Sequence, residues 1–145
     1  MKALTIKQPW AGLIISGMKN IENRTWKTDY RGKILIHAGI SYSKKNRKET
    51  EDFICRYILT KEEQKKLIND DGTIQHSCCK YGMIIGEVEL VDCVKGHNSN
   101  WAEKDVWNWV LANPIKYDTP IEAKGKLSLW TYEEKAQEER NNEKI

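Results

Sequence analysis

No apolar stretch in these 145 residues approaches the ~18 consecutive positions that a membrane-spanning helix requires, which excludes such a helix. The opening MKALTIKQPW holds no apolar run between its charges and Pro9. That predicts a chain without a signal peptide, at work in the cytoplasm. The four cysteines, Cys55, Cys78, Cys79 and Cys93, contain no C-x-x-C pair. Adjacent Cys78 and Cys79 cannot close an unstrained disulfide on each other, so free thiols in a reducing compartment are expected. The string His76-Ser77-Cys78-Cys79 lacks a second ligand pair at a zinc spacing, and neither a metal nor a cofactor is expected. The net charge is only +3, which neither demands nor excludes a polyanionic partner.

What is present suits one domain. A length near ~150 residues is the usual single-domain size, and six tryptophans with 39% hydrophobic residues are too many for a disordered chain. Ala3–Lys7 alternates as a strand. Pro9 sits at a first helical turn, where its missing N–H costs nothing, ahead of Leu13, Ile14 and Ile15, and Gly17 is a natural stop. Asn20–Trp26 reads as a second strand, Thr28–Gly32 as a turn, and Lys33–Ala38 as a third strand. Ser43 caps a helix to about Leu59, and the capping box Thr60-x-x-Glu63 opens a shorter one to about Ile68. A polar loop covers about 69–81. Gly82–Val94 is the clearest strand, with Ile84, Val88 and Leu90 on one face and Glu87 and Glu89 on the other. The spacing of Val106, Trp109 and Val110 predicts a helix from Ser99 or Asn100 to Asn113-Pro114. Pro120–Tyr132 carries one or two closing strands, and 133–145 reads as a charged tail, frayed or disordered. The order implies an α+β domain over 1–132.

The informative segment runs from Gln8 to Trp26. On a strand Asn20, Glu22, Arg24 and Trp26 share one face, and Lys19 leans toward it from the turn after Gly17. One carboxylate, two cations and an indole then converge. Such a group binds a phosphate or lowers the pKa of a lysine for chemistry; the plainer reading is an exposed same-face pair worth under ~1 kcal/mol.

The string Leu4-Thr5-Ile6-Lys7-Gln8-Pro9-Trp10-Ala11, followed by Gly17-x-Lys19-x-x-Glu22-x-Arg24, resembles the ASCH (activating signal cointegrator homology) domain, a branch of the PUA-like superfamily. Tyr30–Ala38 (YRGKILIHA), Ile85–Cys93 (IGEVELVDC) and Pro120-Ile121-x-x-Lys124-Gly125-x-x-x-x-Trp130 match in family order. The resemblance spans residue 3 to about 131. It implies a PUA-like small mixed β-barrel with surrounding helices, and a cleft where the Gly17–Arg24 segment meets the barrel.

The function implied is binding of RNA or a nucleotide, in RNA metabolism or transcription coactivation. Lys7, Lys19, Arg24 and Arg31 would take phosphates. Trp10 or Trp26 would stack on an unpaired base, and Gln8, Glu22 and Asn23 would read its edge. His37 is either a cleft residue or a hydrogen-bonded barrel histidine. Trp101, Trp107, Trp109 and Trp130 are expected mostly as scaffold. A second implied function is hydrolysis, because short ASCH proteins include amidohydrolases of N4-acetylcytidine, and a ribonuclease role is described for others. The candidate catalytic residues are then Lys19, Glu22 and Glu87. The amidohydrolase branch carries Thr where this chain has Glu22 and lacks the QPW signature, and Glu22 beside Lys19 would hold the lysine charged and quiet. A protein-interaction module is the third reading.

Overall fold

The computed structural model describes residues 1–39, 61–62 and 81–133. Its elements are β1 (Lys2–Lys7), α1 (Trp10–Ile15), β2 (Ile21–Arg24), β3 (Gly32–Gly39), β4 (Met83–Val94), β5 (Trp107–Glu122) and β6 (Leu129–Thr131). The helices expected over 43–59 and 60–68 and the loop at 69–81 lie outside the described residues, apart from helical backbone at 61–62 and the residue at 81. So does the tail after 133.

The six strands form one sheet in the order β2-β5-β4-β3-β1-β6. It is mixed: β1 lies parallel to β3, with Thr5 opposite His37, and the other pairings are antiparallel. Register shifts at Ile36/His37 and at three places between β4 and β5 add the bend and twist that bulges give. The sheet therefore curls into a half-barrel. Arg24 on edge strand β2 reaches far enough to donate from Nη2 to the Thr5 carbonyl of β1 at 2.9 Å, although β5, β4 and β3 separate those strands in the sheet. The described fold is mostly strand, which agrees with a PUA-like barrel.

Helix α1 is apolar all round, and Ala11, Gly12, Leu13, Ile14 and Ile15 are all buried. A six-residue helix lacks the length to stand alone. It is held by packing on β1, β3, β4 and β5 and by Gln8, whose Oε1 accepts the Gly12 N–H at 2.9 Å. The core gathers Ile14 and Ile15 with Ile34, Ile36, Val88, Leu90, Trp109 and Leu111.

One element differs in kind from the sequence reading. The helix expected over 99–113 is instead a loop followed by the sixteen-residue strand β5. Val106, Trp109 and Val110 imitate a helical face, but Trp107, Trp109 and Leu111 alternate at period two and pack inward, and pairing with both β2 and β4 overrides the local pattern. Asn113, at φ +51°, and Pro114 fall within β5 beyond the stretch paired to β2, where a proline is tolerated. The second strand is also shorter than expected, ending at Arg24.

Gly86 marks the tightest approach in the sheet. A Cβ there would overlap the Ile115 carbonyl oxygen and lie 2.9 Å from Ile15 Cδ1. The Ile115 oxygen belongs to the backbone, so relieving the overlap requires the strand itself to shift and not only a flexible side-chain end. Gly86→Ala is expected to lower unfolding stability by about 1–3 kcal/mol, read as a lower denaturant midpoint at unchanged slope. An unchanged midpoint would place slack between α1 and β4 that this packing excludes.

Candidate functional site

The exit of α1 sets the first residue of the site. Gly17 takes φ +87°, and the backbone N–H groups of both Met18 and Lys19 donate to the Leu13 carbonyl, at 3.1 and 3.0 Å. This tight reversal turns Lys19 inward, where it is only 5% exposed. Its Nζ donates to the Ile21 carbonyl and lies 3.4 Å from Glu22 Oε1. Two indoles flank it, with ring centroids at 5.8 Å for Trp10 and 5.9 Å for Trp101, inside the range of a cation–π contact. Those rings meet edge-on at 78°. Burial lowers the Lys19 pKa below its ordinary 10.5, against the opposing pull of the Glu22 carboxylate.

The other Glu22 oxygen is equally committed. Oε2 accepts Arg24 Nε at 3.0 Å and stands 2.8 Å from Nη2. Glu22 is 8% exposed, so both cations are needed to offset its desolvation. The structure therefore brings Lys19, Glu22 and Arg24 together.

They lie in a cavity of about 930 Å³ whose walls include Lys7, Trp10, Asn23, Trp101, Glu103 and the 126–128 loop. Asn23 fastens one wall. Its Nδ2 donates to the Trp101 carbonyl at 3.0 Å, while its Oδ1 accepts the Glu103 N–H at 3.1 Å and Asn108 Nδ2 at 2.9 Å. Trp101 Nε1 closes the same wall onto the Met18 carbonyl at 2.9 Å.

The opposite wall hangs on His37. Its Nε2 lies 2.6 Å from the Ala123 carbonyl, which can only accept, so Nε2 carries the proton and Nδ1 accepts from the Thr5 hydroxyl at 3.3 Å. Trp130 Nε1 completes the chain by donating to Thr5 Oγ1 at 3.1 Å. Burial also pushes the His37 imidazole below its usual range. Of the two alternatives for His37, this is the hydrogen-bonded barrel histidine.

Other residues singled out in the sequence stand elsewhere. Gln8 is buried beneath α1, outside the cavity walls. Trp26 packs edge-on against Trp109 at 4.6 Å. Arg31 is directed to the Thr28 and Tyr30 carbonyls and to Asp92 at 3.7 Å. Glu87 sits against Lys33 Nζ at 3.0 Å and accepts from the Tyr117 hydroxyl at 2.9 Å. It is not brought to Lys19, and its cationic partner is Lys33. Conversely, Trp101 is a wall of the cavity and not only scaffold. Lys126, Leu127 and Ser128 line the cavity as well without having been picked out from the sequence. Only the Lys124-Gly125 motif beside them marked that loop. Among the described residues no cluster of His, Cys, Asp and Glu has a metal-holding arrangement, and no helix is long and apolar enough to cross a membrane.

The family model that matches is the ASCH domain, over residues 4–121, which takes in all or most of every strand of the sheet but β6. The chain belongs to the ASCH domain family. This ASCH chain is similar to Activating signal cointegrator 1 of Homo sapiens, 25% identical over 139 residues, covering 91% of this chain and 22% of that protein. It is 24% identical to the Mus musculus protein of the same name with the same coverage. The chain thus spans about a fifth of the length of these curated relatives.

The depressed Lys19 pKa has a definite sign. Between the folded value and 10.5 the unfolded chain binds more protons than the native ASCH domain, so folding stability rises with pH in that window. In equilibrium denaturation the unfolding free energy of the wild type is expected to gain on that of Lys19→Met as the buffer is raised from neutral toward pH 10.5. A difference that shrinks instead would mean that Glu22 outweighs desolvation.

Proposed function

We propose that this ASCH domain binds RNA or a nucleotide in the cleft around Lys19, Glu22 and Arg24. One observation carries the reading: Lys19 sits beside the rings of both Trp10 and Trp101, and Arg24 lines the same cavity. Aromatic faces next to fixed positive charge suit a base and its phosphate. Lys7 and Lys126, both exposed on the walls, extend the positive charge along the path of a strand. Asn23 is so fully used within the wall that it acts as a fastener for Trp101. The name of the cointegrator relatives supports a place for this binding in transcription coactivation. Retention of the fold in the cytoplasm, with no cofactor, completes the proposal.

A hydrolase reading keeps Lys19, whose lowered pKa favours it as a base or nucleophile. It then has to use Glu22 as its carboxylate, because Glu87 is engaged by Lys33 and Tyr117. Glu22 is itself divided between two cations, which favours binding over turnover.

Titration of intrinsic tryptophan fluorescence with short single-stranded RNA tests the binding reading, with N4-acetylcytidine and cytidine as parallel ligands and product analysis of each mixture. Saturable quenching without product is expected. Lys7→Ala with Lys126→Ala should reduce the slope of log K against log salt by about 0.7 for each phosphate that is no longer neutralised. Trp10→Ala should weaken binding by about 1–3 kcal/mol. Acetate release abolished in Lys19→Ala would establish the hydrolase instead. No response to any ligand would remove the cleft from nucleic-acid function.

A further inference from the structure

Resting on that binding reading, we infer that Leu127 is a wedge which enters a stacked RNA strand and fills the gap left when one base turns into the cleft. An exposed leucine is ordinary by itself. Leu127 is not ordinary in two respects: its degree of exposure, and the rigidity of what carries it. It is 92% exposed, whereas the other exposed large apolar side chains among the described residues, Met1, Val91 and Ile115, lie at 49%, 43% and 53%. It also stands on the wall of the cavity that holds the two indoles.

The loop beneath it is pinned on both sides. On the N-terminal side the Ala123 carbonyl is held by His37 Nε2 at 2.6 Å. Gly125 lies so close to the barrel that a Cβ would stand 2.7 Å from His37 Cε1 and 2.9 Å from both His37 Nδ1 and Thr5 Oγ1. On the C-terminal side Ser128 takes φ +58°, and the chain enters β6, where Trp130 Nε1 bonds Thr5 Oγ1. A side chain with no packing of its own is thus presented on a loop with little freedom to fold it away.

The surroundings select the ligand. Lys124 and Lys126 closely precede Leu127 in the loop, and the cavity wall carries Lys7, Lys19, Arg24 and Lys126 against Glu22 and Glu103. The excess of cations fits a phosphodiester strand passing the mouth. Because the Trp10 and Trp101 rings are nearly perpendicular, a single flat base can lie on one indole face while the other closes its edge. One base inside and its neighbours outside leaves a gap in the stack, and apolar side chains fill such gaps in strands that proteins kink or unstack.

The test compares short oligo(A), whose bases stack, with oligo(U) of equal length, whose bases do not, using the full chain. Leu127→Ala touches no packed surface and should keep the wild-type unfolding midpoint. It is expected to weaken oligo(A) binding by about tenfold and leave oligo(U) within about twofold, the side of the comparison in which no step is unstacked. Leu127→Phe should restore oligo(A) binding. A 2-aminopurine placed within oligo(A) should change fluorescence on binding the wild type and much less on binding Leu127→Ala. Equal losses on both strands, or no loss on either, would overturn the wedge while leaving the cleft reading intact. Wild-type protein that binds neither strand would overturn both.

Discussion

The Glu22 carboxylate joins three parts of the chain that are otherwise separate. Its two oxygens are divided between Lys19, delivered by the exit of α1, and Arg24, on the edge strand β2. Arg24 continues the connection to the Thr5 carbonyl on β1. A carboxylate this deep is costly to bury unless cations and hydrogen bonds offset it, and the same is true of the Lys19 ammonium. The curl of the sheet and the reversal after Gly17 bring these groups within reach of one another. Charge pairing, sheet curvature and the floor of the cavity are one arrangement seen at three scales.

Around that floor the two walls are fastened by different chemistry. The wall bearing Trp101 is held by the amides of Asn23 and Asn108, which do not titrate, and by an indole N–H on the Met18 carbonyl. The wall bearing Lys126 and Leu127 is held by a neutral imidazole and a glycine packed against it. Both fastenings rest in large part on backbone atoms, which fixes in advance the surface that a ligand of the proposed cleft would meet. Such pre-organisation lowers the ordering cost of binding.

Much of this was legible in the sequence because it is local. The alternation of Ala3–Lys7 and the pattern of Gly82–Val94, the glycine stop of α1, and the proximity of Lys19, Glu22 and Arg24 follow from spacing over a few residues. What was not legible depends on partners distant in the chain. Residues 107–111 satisfy a helical and a strand pattern equally, and only pairing with β2 and β4 decides between them. Trp26 and Trp101 exchange their expected roles for the same reason. Trp26 continues the face of Arg24 by count, but β2 ends before it and the indole turns onto Trp109. Trp101 has no signal of its own and gains its place when Asn23, far away in sequence, captures its loop. Glu87 finds Lys33 across the β3–β4 pair, a register that no local pattern states.

The way His37 grips the loop at 123–128 has a bearing on how such a cleft changes over generations. The imidazole holds a main-chain carbonyl at Ala123 and the bare Cα of Gly125, so the clasp is indifferent to the side chains at 124, 126 and 127. Those three positions can be exchanged without disturbing the barrel beneath, while glycine at 125 cannot. The rim is therefore an interchangeable fitting on a fixed frame. Exchange at a few exposed residues can reshape the mouth of the cavity long before anything in the core has to move.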